Sequence, residues 1–350
     1  MTKPELSLNE QLTKCRRTVD FDTFDIVLQQ LLAMLKSGVI DIAPVYQRQF
    51  RWDDHRCSQL IESIFLGIPI PSLFMATNRD GSWELVDGVQ RLSSIVKFAG
   101  DSELRKKLNV GEALLLEGLE KLTSFNNHSY LSLPESLRLQ FELRPLKVVT
   151  LSDKSDSIVR FDLFERLNTG GIALTDQEIR ACVFRGRFAE FIEEIAKDES
   201  FHKVVKLTSK QEQDGTREEC VLRFFAYLNR YKSFSHSVVD FLNEYMKDST
   251  KSFGYTLSES VFRETFLQLA TALPDGIVRR TKRGITPLVL FEAVSVGAGL
   301  ALEKKKKIIG KGASDWIDSE ELRGFTTGAT NSKSMVKNRI EYCRDRFLGQ

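Results

Sequence analysis

The chain has 350 residues, 42% of them apolar, with 50 Lys and Arg against 48 Asp and Glu, for a formal net charge of +2. That length suits two domains, or one domain with a helical extension, and the near-neutral balance excludes a global basic signature, leaving only a local patch for any nucleic acid. No apolar run reaches membrane length, so no membrane contact is expected, and five scattered cysteines without a Cys-x-x-Cys pair argue against zinc and for reduced thiols in a cytoplasm.

In chain order, residues 1–20 read as a loosely held arm without a signal pattern. Phe24, Val27, Leu28, Leu31, Leu32 and Leu35 predict an amphipathic helix from Thr23 to Leu35, ended by Gly38. Ile40-Asp41-Ile42 predicts a short strand. Asp53 or Asp54 caps the next helix, with Leu60, Ile61, Ile64 and Phe65 on one face. Gly67 ends it, and Ile68-Pro69-Ile70-Pro71 cannot continue it. Leu73 to Thr77 and Trp83 to Val86 predict strands, joined by hairpin chemistry at Asn78-Arg79-Asp80-Gly81. A helix follows from Gln90, with Leu92, Ile95, Val96 and Ala99 at helical spacing.

Leu-rich pieces joined at Asn126-Asn127 fill 101–140. Leu146 to Leu151 predicts a strand and Ser155 to Leu167 a helix. Thr175-Asp176-Gln177-Glu178 is a capping box, with Leu174 and Ile179 as its hydrophobic staple. Beyond it the chain reads as mostly helical. Val221, Phe224, Phe225 and Leu228 share a face, as do Val238, Val239, Leu242, Tyr245 and Met246. Val261 to Leu273 and Met335 to Phe347 are further helices. The expected organisation is an arm at 1–20, an α/β domain at 21–150 and a mainly α-helical domain at 151–350.

The chemistry concentrates at Val86-Asp87-Gly88-Val89-Gln90-Arg91-Leu92. A strand, a glycine turn and a helix start aim backbone N–H groups and the helix dipole at the turn. Arg91 adds a forked cation that suits phosphate. Upstream, Ile42-Ala43-Pro44-Val45-Tyr46-Gln47-Arg48-Gln49-Phe50-Arg51-Trp52 packs amides, cations and aromatics into a short irregular segment.

These two segments resemble the N-terminal domain family of GmrSD-type modification-dependent restriction enzymes, of the ParB/sulfiredoxin-like superfamily. The matching pieces are Pro44-Val45-Tyr46-Gln47-Arg48 with Trp52, Leu60-Ile61-Glu62-Ser63-Ile64 with Gly67-Ile68-Pro69-Ile70-Pro71, and Val86 to Leu92. Phe164-Glu165-Arg166-Leu167-Asn168-Thr169-Gly170-Gly171, Leu174 and Glu178-Ile179-Arg180 follow in order. The likeness covers roughly residues 20 to 185. It implies a ParB/sulfiredoxin-like α/β N-terminal domain that binds and hydrolyses nucleoside triphosphates. In that family the hydrolysis is coupled to DNA cleavage by a separate C-terminal His-Asn-His nuclease domain. The family hallmark is Asp-Gly-Gln-Gln-Arg, and here Val89 stands in the middle, so the turn has one amide fewer. His55, His128, His202 and His236 sit in no His-Asn-His context. The expectation is therefore the nucleotide-sensing half without its usual nuclease.

Each candidate has a plainer reading. Arg48 and Arg91 form a two-arginine phosphate clamp, or two surface ion pairs of little consequence. Gln47 and Gln90 bond phosphate, ribose or an attacking water, or simply supply turn polarity. Asp87 holds Mg²⁺ with waters and substrate phosphates, or caps its own turn. Tyr46 and Trp52 stack on a base or belong to the core. Arg51, Gly88 and Asn168 join the binding set, with Gly170 and Gly171 closing over the ligand or ending a helix. Glu62 and Glu165 are general-base candidates for which a solvated face is the favoured reading. Cys57 is near the site, but no His partner makes it a nucleophile. Arg279, Arg280, Lys282 and Arg283 are the candidate DNA contacts, ahead of Lys304 to Lys307. Gly328 to Ser334 has the wrong spacing for a phosphate loop, and Thr330 or Ser332 better serves as a helix cap.

The expected function is nucleotide binding with Mg²⁺-dependent hydrolysis, in the sensor or regulatory component of a prokaryotic restriction or anti-phage defence system. The catalytic set is Asp87, Gln90 and Arg91, and a separately encoded effector or nuclease is the expected partner. The alternative is a non-hydrolytic adaptor that binds nucleotide or DNA and docks such an effector. A ParB-like nuclease ranks third, and a homo-oligomer is left open.

Overall fold

The computed structural model describes residues 8–15, 20–42, 50, 52–78, 80–152, 157–167, 175–280, 284–305 and 307–350. The chain forms two compact units, Met1–Ala173 and Leu174–Gln350. The first is mixed α/β and the second almost wholly helical.

In the first unit, helix α1 (Leu8–Cys15) precedes strand β1 (Phe21–Val27), which runs directly into α2 (Leu28–Ser37). The expected helix from Thr23 is thus a strand up to Val27. Phe21, Thr23, Phe24, Ile26 and Val27 are β-branched or aromatic, types that suit a pleated surface, and seven antiparallel pairs with β5 (Pro145–Leu151) outweigh the local helical spacing. Only from Leu28 does the 3.6-residue period bury a face, at Leu28, Leu31 and Leu35.

Strand β2 (Ile40–Asp41) lies parallel to β4 (Trp83–Asp87). Strand β3 (Leu73–Thr77) pairs antiparallel with β4 and parallel with β5, so the sheet order is β1-β5-β3-β4-β2. Helix α3 (Asp54–Leu66) starts at Asp53, whose carboxylate accepts the Arg56 N–H, and stops at Gly67 in the left-handed region, φ 71°. Helix α4 (Val89–Ala99) follows the β4 turn. Between it and β5 lie α5 (Ser102–Lys107) and α6 (Glu135–Glu142). Helix α7 (Ser157–Leu167) packs on β4 and belongs to this unit. Cys57, Ile61, Met75, Leu85, Leu92, Ile95, Phe141 and Val148 are fully buried in its core.

The second unit opens with α8 (Asp176–Val183), where Thr175 and Glu178 make the expected reciprocal capping box; Leu174, its staple partner, is outside the described residues. Helices α9 (Arg187–Ile195), α10 (Glu199–Val204), α11 (Thr216–Arg230), α12 (Val238–Ser249) and α13 (Tyr255–Ala272) follow. Then come α14 (Leu288–Lys304), α15 (Ala313–Trp316), α16 (Glu320–Thr326) and α17 (Lys333–Leu348). The pattern expected on Val221 to Leu228 and on Val238 to Met246 is present as buried faces of α11 and α12. Ser332 caps α17 through the Met335 N–H, which gives the Gly328–Ser334 stretch a structural task.

Helix α14 carries the centre of this unit. A Cβ on Gly297 would lie 2.6 Å from Cys343 Cβ, so α17 crosses α14 at backbone contact there. Five charged side chains are threaded through the same core. Arg180 (1% exposed) reaches Glu219 at 3.0 Å and donates to Asn243 at 2.8 Å. Arg223 joins Glu219 at 2.6 Å and also bonds Glu292, while Arg339 closes on the other oxygen of Glu292. Such groups persist inside a protein only when paired, because unpaired burial costs several kcal/mol per ion, roughly.

Candidate functional site

The site is built where the N-terminal ends of α3 and α4 come together. Gly88 sits at φ 106° between β4 and α4 and serves as the N-cap without a side-chain oxygen. A Cβ at this position would overlap the Leu73 side chain, so strand β3 packs straight against the turn. Glycine is required here twice, for the angle and for the space.

Arg91, in the first turn of α4, folds back over the turn. Its NH1 donates to the carbonyls of Pro71 (2.5 Å) and Ser72 (3.0 Å), and its NH2 meets Asp87 Oδ2 at 2.5 Å. One guanidinium thus ties the Pro71–Ser72 segment, the end of β4 and α4 into one body. Of the five N–H donors of an arginine, three have these partners. The side chain is 12% exposed and that of Asp87 32%, so the pair lies at the surface of the turn.

Gln90 turns the other way and accepts the backbone N–H of Trp52 at 3.2 Å. Two further ties hold α3 against α4. Ser94 Oγ donates to Cys57 Sγ at 3.2 Å, and Lys97 pairs with Asp54. Burial pushes the Cys57 thiol up, and the Ser94 hydrogen bond offsets this only partly. A buried thiol held in its protonated form is a core residue. Trp52 is half-buried, and the Arg56 guanidinium stands 5.6 Å from its ring centroid.

The structure thus brings Trp52, Asp87, Gly88, Gln90 and Arg91 together. Tyr46, Gln47, Arg48, Arg51, Asn168, Gly170 and Gly171 lie outside the described residues. Glu62 is not on a solvated face: it is 9% exposed, and its Oε1 accepts the N–H groups of Lys121 and Leu122 at 2.9 and 2.8 Å. That carboxylate anchors a loop. Glu165 is exposed. Sequence reasoning passed over the Cys57–Ser94 and Asp54–Lys97 ties, and over Glu84, a carboxylate 3% exposed within β4. The i, i+3 and i, i+4 spacings that place Cys57 and Asp54 on one face of α3 were legible. Their partners across the helix pair were not.

In the second unit, Arg279 bonds the Ile317 carbonyl and Thr326, and lies 3.4 Å from Asp318. Its side chain is 11% exposed, which makes it a structural strut. Arg280 is exposed and paired with Asp315; Lys282 and Arg283 lie outside the described residues. Among the described residues no group of three or more His, Cys, Asp or Glu could cage a metal, and no helix is long and apolar enough to cross a membrane.

Residues 28–185 match the family profile described as the GmrSD restriction endonuclease, N-terminal domain. No curated protein matches the chain. Among solved structures, a Pnob8-like ParB-N domain is similar at 13% identity, over 95% of this chain and 100% of that one, with a TM-score of 0.23. The profile spans both helix starts of the site, the Asp87–Arg91 turn and the capping box at Thr175. Residues 28–185 thus form a GmrSD-like N-terminal domain, similar to that of a restriction endonuclease, and a helical region follows.

Proposed function

We propose that the Asp87–Arg91 turn binds the phosphates of a nucleoside triphosphate and hydrolyses it with Mg²⁺, as the sensor or regulatory component of a DNA restriction or anti-phage system. The observation that carries this reading is the turn itself. A glycine N-cap with no side-chain oxygen of its own starts α4, beside a guanidinium and a carboxylate that are held rigid by Pro71 and Ser72. Such a helix start favours an anion.

The chain's residues divide the work as follows. Arg91 has two N–H donors beyond the three it uses at home, enough to meet one phosphate oxygen while keeping Asp87 oriented. Gln90 fixes Trp52 and so places α3 against the site. Asp87 fits Mg²⁺ as a single carboxylate ligand, since this ion commonly takes one or two carboxylates and fills its other positions with water and substrate phosphates. Bound there, the ion would neutralise charge on the phosphates. Catalysis would rest on position and electrostatics rather than on a protein nucleophile.

The test is phosphate release from each of the four ribonucleoside triphosphates with Mg²⁺, in wild type and Arg91→Ala, with nucleotide affinity measured by calorimetry. Release by the wild type and its loss in the variant are expected, with at least a tenfold drop in affinity. Unchanged affinity in Arg91→Ala would overturn the reading. Because Arg91 also ties the turn, Arg91→Lys serves as the folded control.

A non-hydrolytic adaptor is the second reading, and Val89 favours it. The first residue of α4 has no amide with which to orient a water. Tight nucleotide binding without turnover, with turnover gained in Val89→Gln, would select it.

A further inference from the structure

Helix α14 packs against both α11 and α17. α11 ends at Arg230 and passes into the 3₁₀ turn Tyr231–Ser233, whereas α14 runs on to Lys304. A cavity of about 360 Å³ lies where these elements meet, within the range of small-molecule sites, roughly 300–1,000 Å³. Its apolar lining is Leu228 and Tyr231, 9% and 6% exposed, with half-buried Leu300. Asn229, Lys232, Glu303, Lys304 and Arg344 line the rest.

Some of these polar groups are satisfied at home and others are not. Arg344 bonds Asp345 at 2.7 Å and lies 3.6 Å from Glu341, which also accepts the Tyr231 hydroxyl at 3.1 Å. Asn229 donates its amide to Tyr245 at 2.7 Å, and its carbonyl oxygen stays open. Lys232 stands 5.7 Å from the Tyr231 ring centroid, and neither it nor Lys304 has a carboxylate partner among the described residues. Glu303 has no ion pair either, and burial pushes its carboxyl above the ordinary carboxylate value. One cavity thus holds two uncommitted ammonium groups and one uncommitted carboxylate, exposed at its rim and not paired with each other.

We propose that this cavity binds an acidic α-amino acid, its ammonium on Glu303 and its two carboxylates on Lys232 and Lys304. The charges match in sign and in number, and the methylenes of the ligand have Leu228, Leu300 and Tyr231 to lie on. Each contact would be a charge-assisted hydrogen bond, and the open Asn229 carbonyl gives the ammonium a second acceptor. Other ligands match less well, because a site discriminates through the charges it leaves unpaired. A plain dicarboxylate leaves Glu303 without a partner and beside an anion. An apolar amino acid uses one lysine only. A nucleoside triphosphate brings more negative charge than two lysines offset and sets phosphates beside Glu303. The cavity is lined wholly by the second unit, and the proposal does not rest on the Asp87–Arg91 turn.

The experiment is calorimetry on the full chain with L-glutamate and L-aspartate, and with glutarate and L-leucine as controls. Binding of an acidic amino acid is expected, at least tenfold tighter than that of either control. Glu303→Gln should weaken the amino acid at least tenfold and leave glutarate no weaker. Lys304→Gln should also weaken the amino acid at least tenfold. Both side chains are exposed, so the melting temperature should stay at its wild-type value in each variant. Arg91→Ala should leave glutamate binding unchanged, which separates this site from the nucleotide site. Four results would each overturn the proposal: no heat at millimolar glutamate or aspartate, glutarate as tight as glutamate, glutamate affinity unmoved by Lys304→Gln, or ATP displacing glutamate from the Arg91→Ala protein.

Discussion

Gly88 and Arg91 show how much one turn asks of single side chains. At φ 106° a side chain at position 88 is strained, and its Cβ would displace the end of the Leu73 side chain. Gly88→Ala should cost about 1–3 kcal/mol through backbone strain and overlap, read as a lower urea midpoint at unchanged m-value. It should also lower nucleotide affinity, since the turn must open to admit the methyl. The Asp-Gly pair, the helix start and the caps at Asp53 and Thr175 were all legible, because each follows from the chemistry of residues close in sequence. The fates of Arg91 and Glu62 were not. Arg91 spends donors on Pro71 and Ser72, some twenty positions upstream, and Glu62 serves Lys121 and Leu122, some sixty downstream. No local pattern encodes a partner at that range.

At the level of elements, the same division holds. Helices with a buried stripe, such as α3 and α11, were visible in their spacing. β1 was not, because Phe24, Val27 and Leu28 fit a helical period across what is a strand–helix junction, and only β5 decides between the two. The long helix α14 escaped for the opposite reason. Nearly every position from Leu290 to Gly299 is buried, so no polar face marks its period. Its crossing with α17 gives a prediction. Gly297→Val would push a branched side chain into Cys343 and the Arg344 N–H, which lie 2.6 and 2.8 Å from where a Cβ on that glycine would stand. Overpacking of this kind costs about 1–3 kcal/mol, so thermal unfolding of the second unit should shift down, with the unfolding of the first unit unchanged.

Across the whole molecule, charge is handled in two ways. On strand β1 of the first unit Asp22 and Asp25 stand in water; in the core of the second unit charge is buried and paired. Burial alone would raise the Glu219 carboxyl, but Arg223 and Arg180 overcome it and hold the group below its ordinary value. Asp318 is likewise held low, against burial, by the Arg280 N–H and by Arg323 and Arg279. A folded value below the unfolded one adds stability that is fully present above the unfolded carboxylate range, about pH 4, and is lost as pH falls through the folded value. The melting temperature of the second unit should therefore be flat between neutrality and about pH 5 and fall steeply below about pH 4. Calorimetric scans would check it; a Tm still flat at pH 3 would contradict the assignment.

The Arg180 contacts also bear on where this protein can be cut. The recurring family segment ends at 185, whereas the compact units part between Ala173 and Leu174. Between those two limits lies α8, whose buried Arg180 bonds Asn243 and Glu219, far along the chain. A fragment ending at 185 would carry away a helix with a bare guanidinium and an unpaired apolar face, and would leave Glu219 behind with one counter-charge fewer. A fragment ending at 173 would sever neither. The heritable segment and the dissectible one differ by a single helix, and limited proteolysis or gene splitting should respect the second.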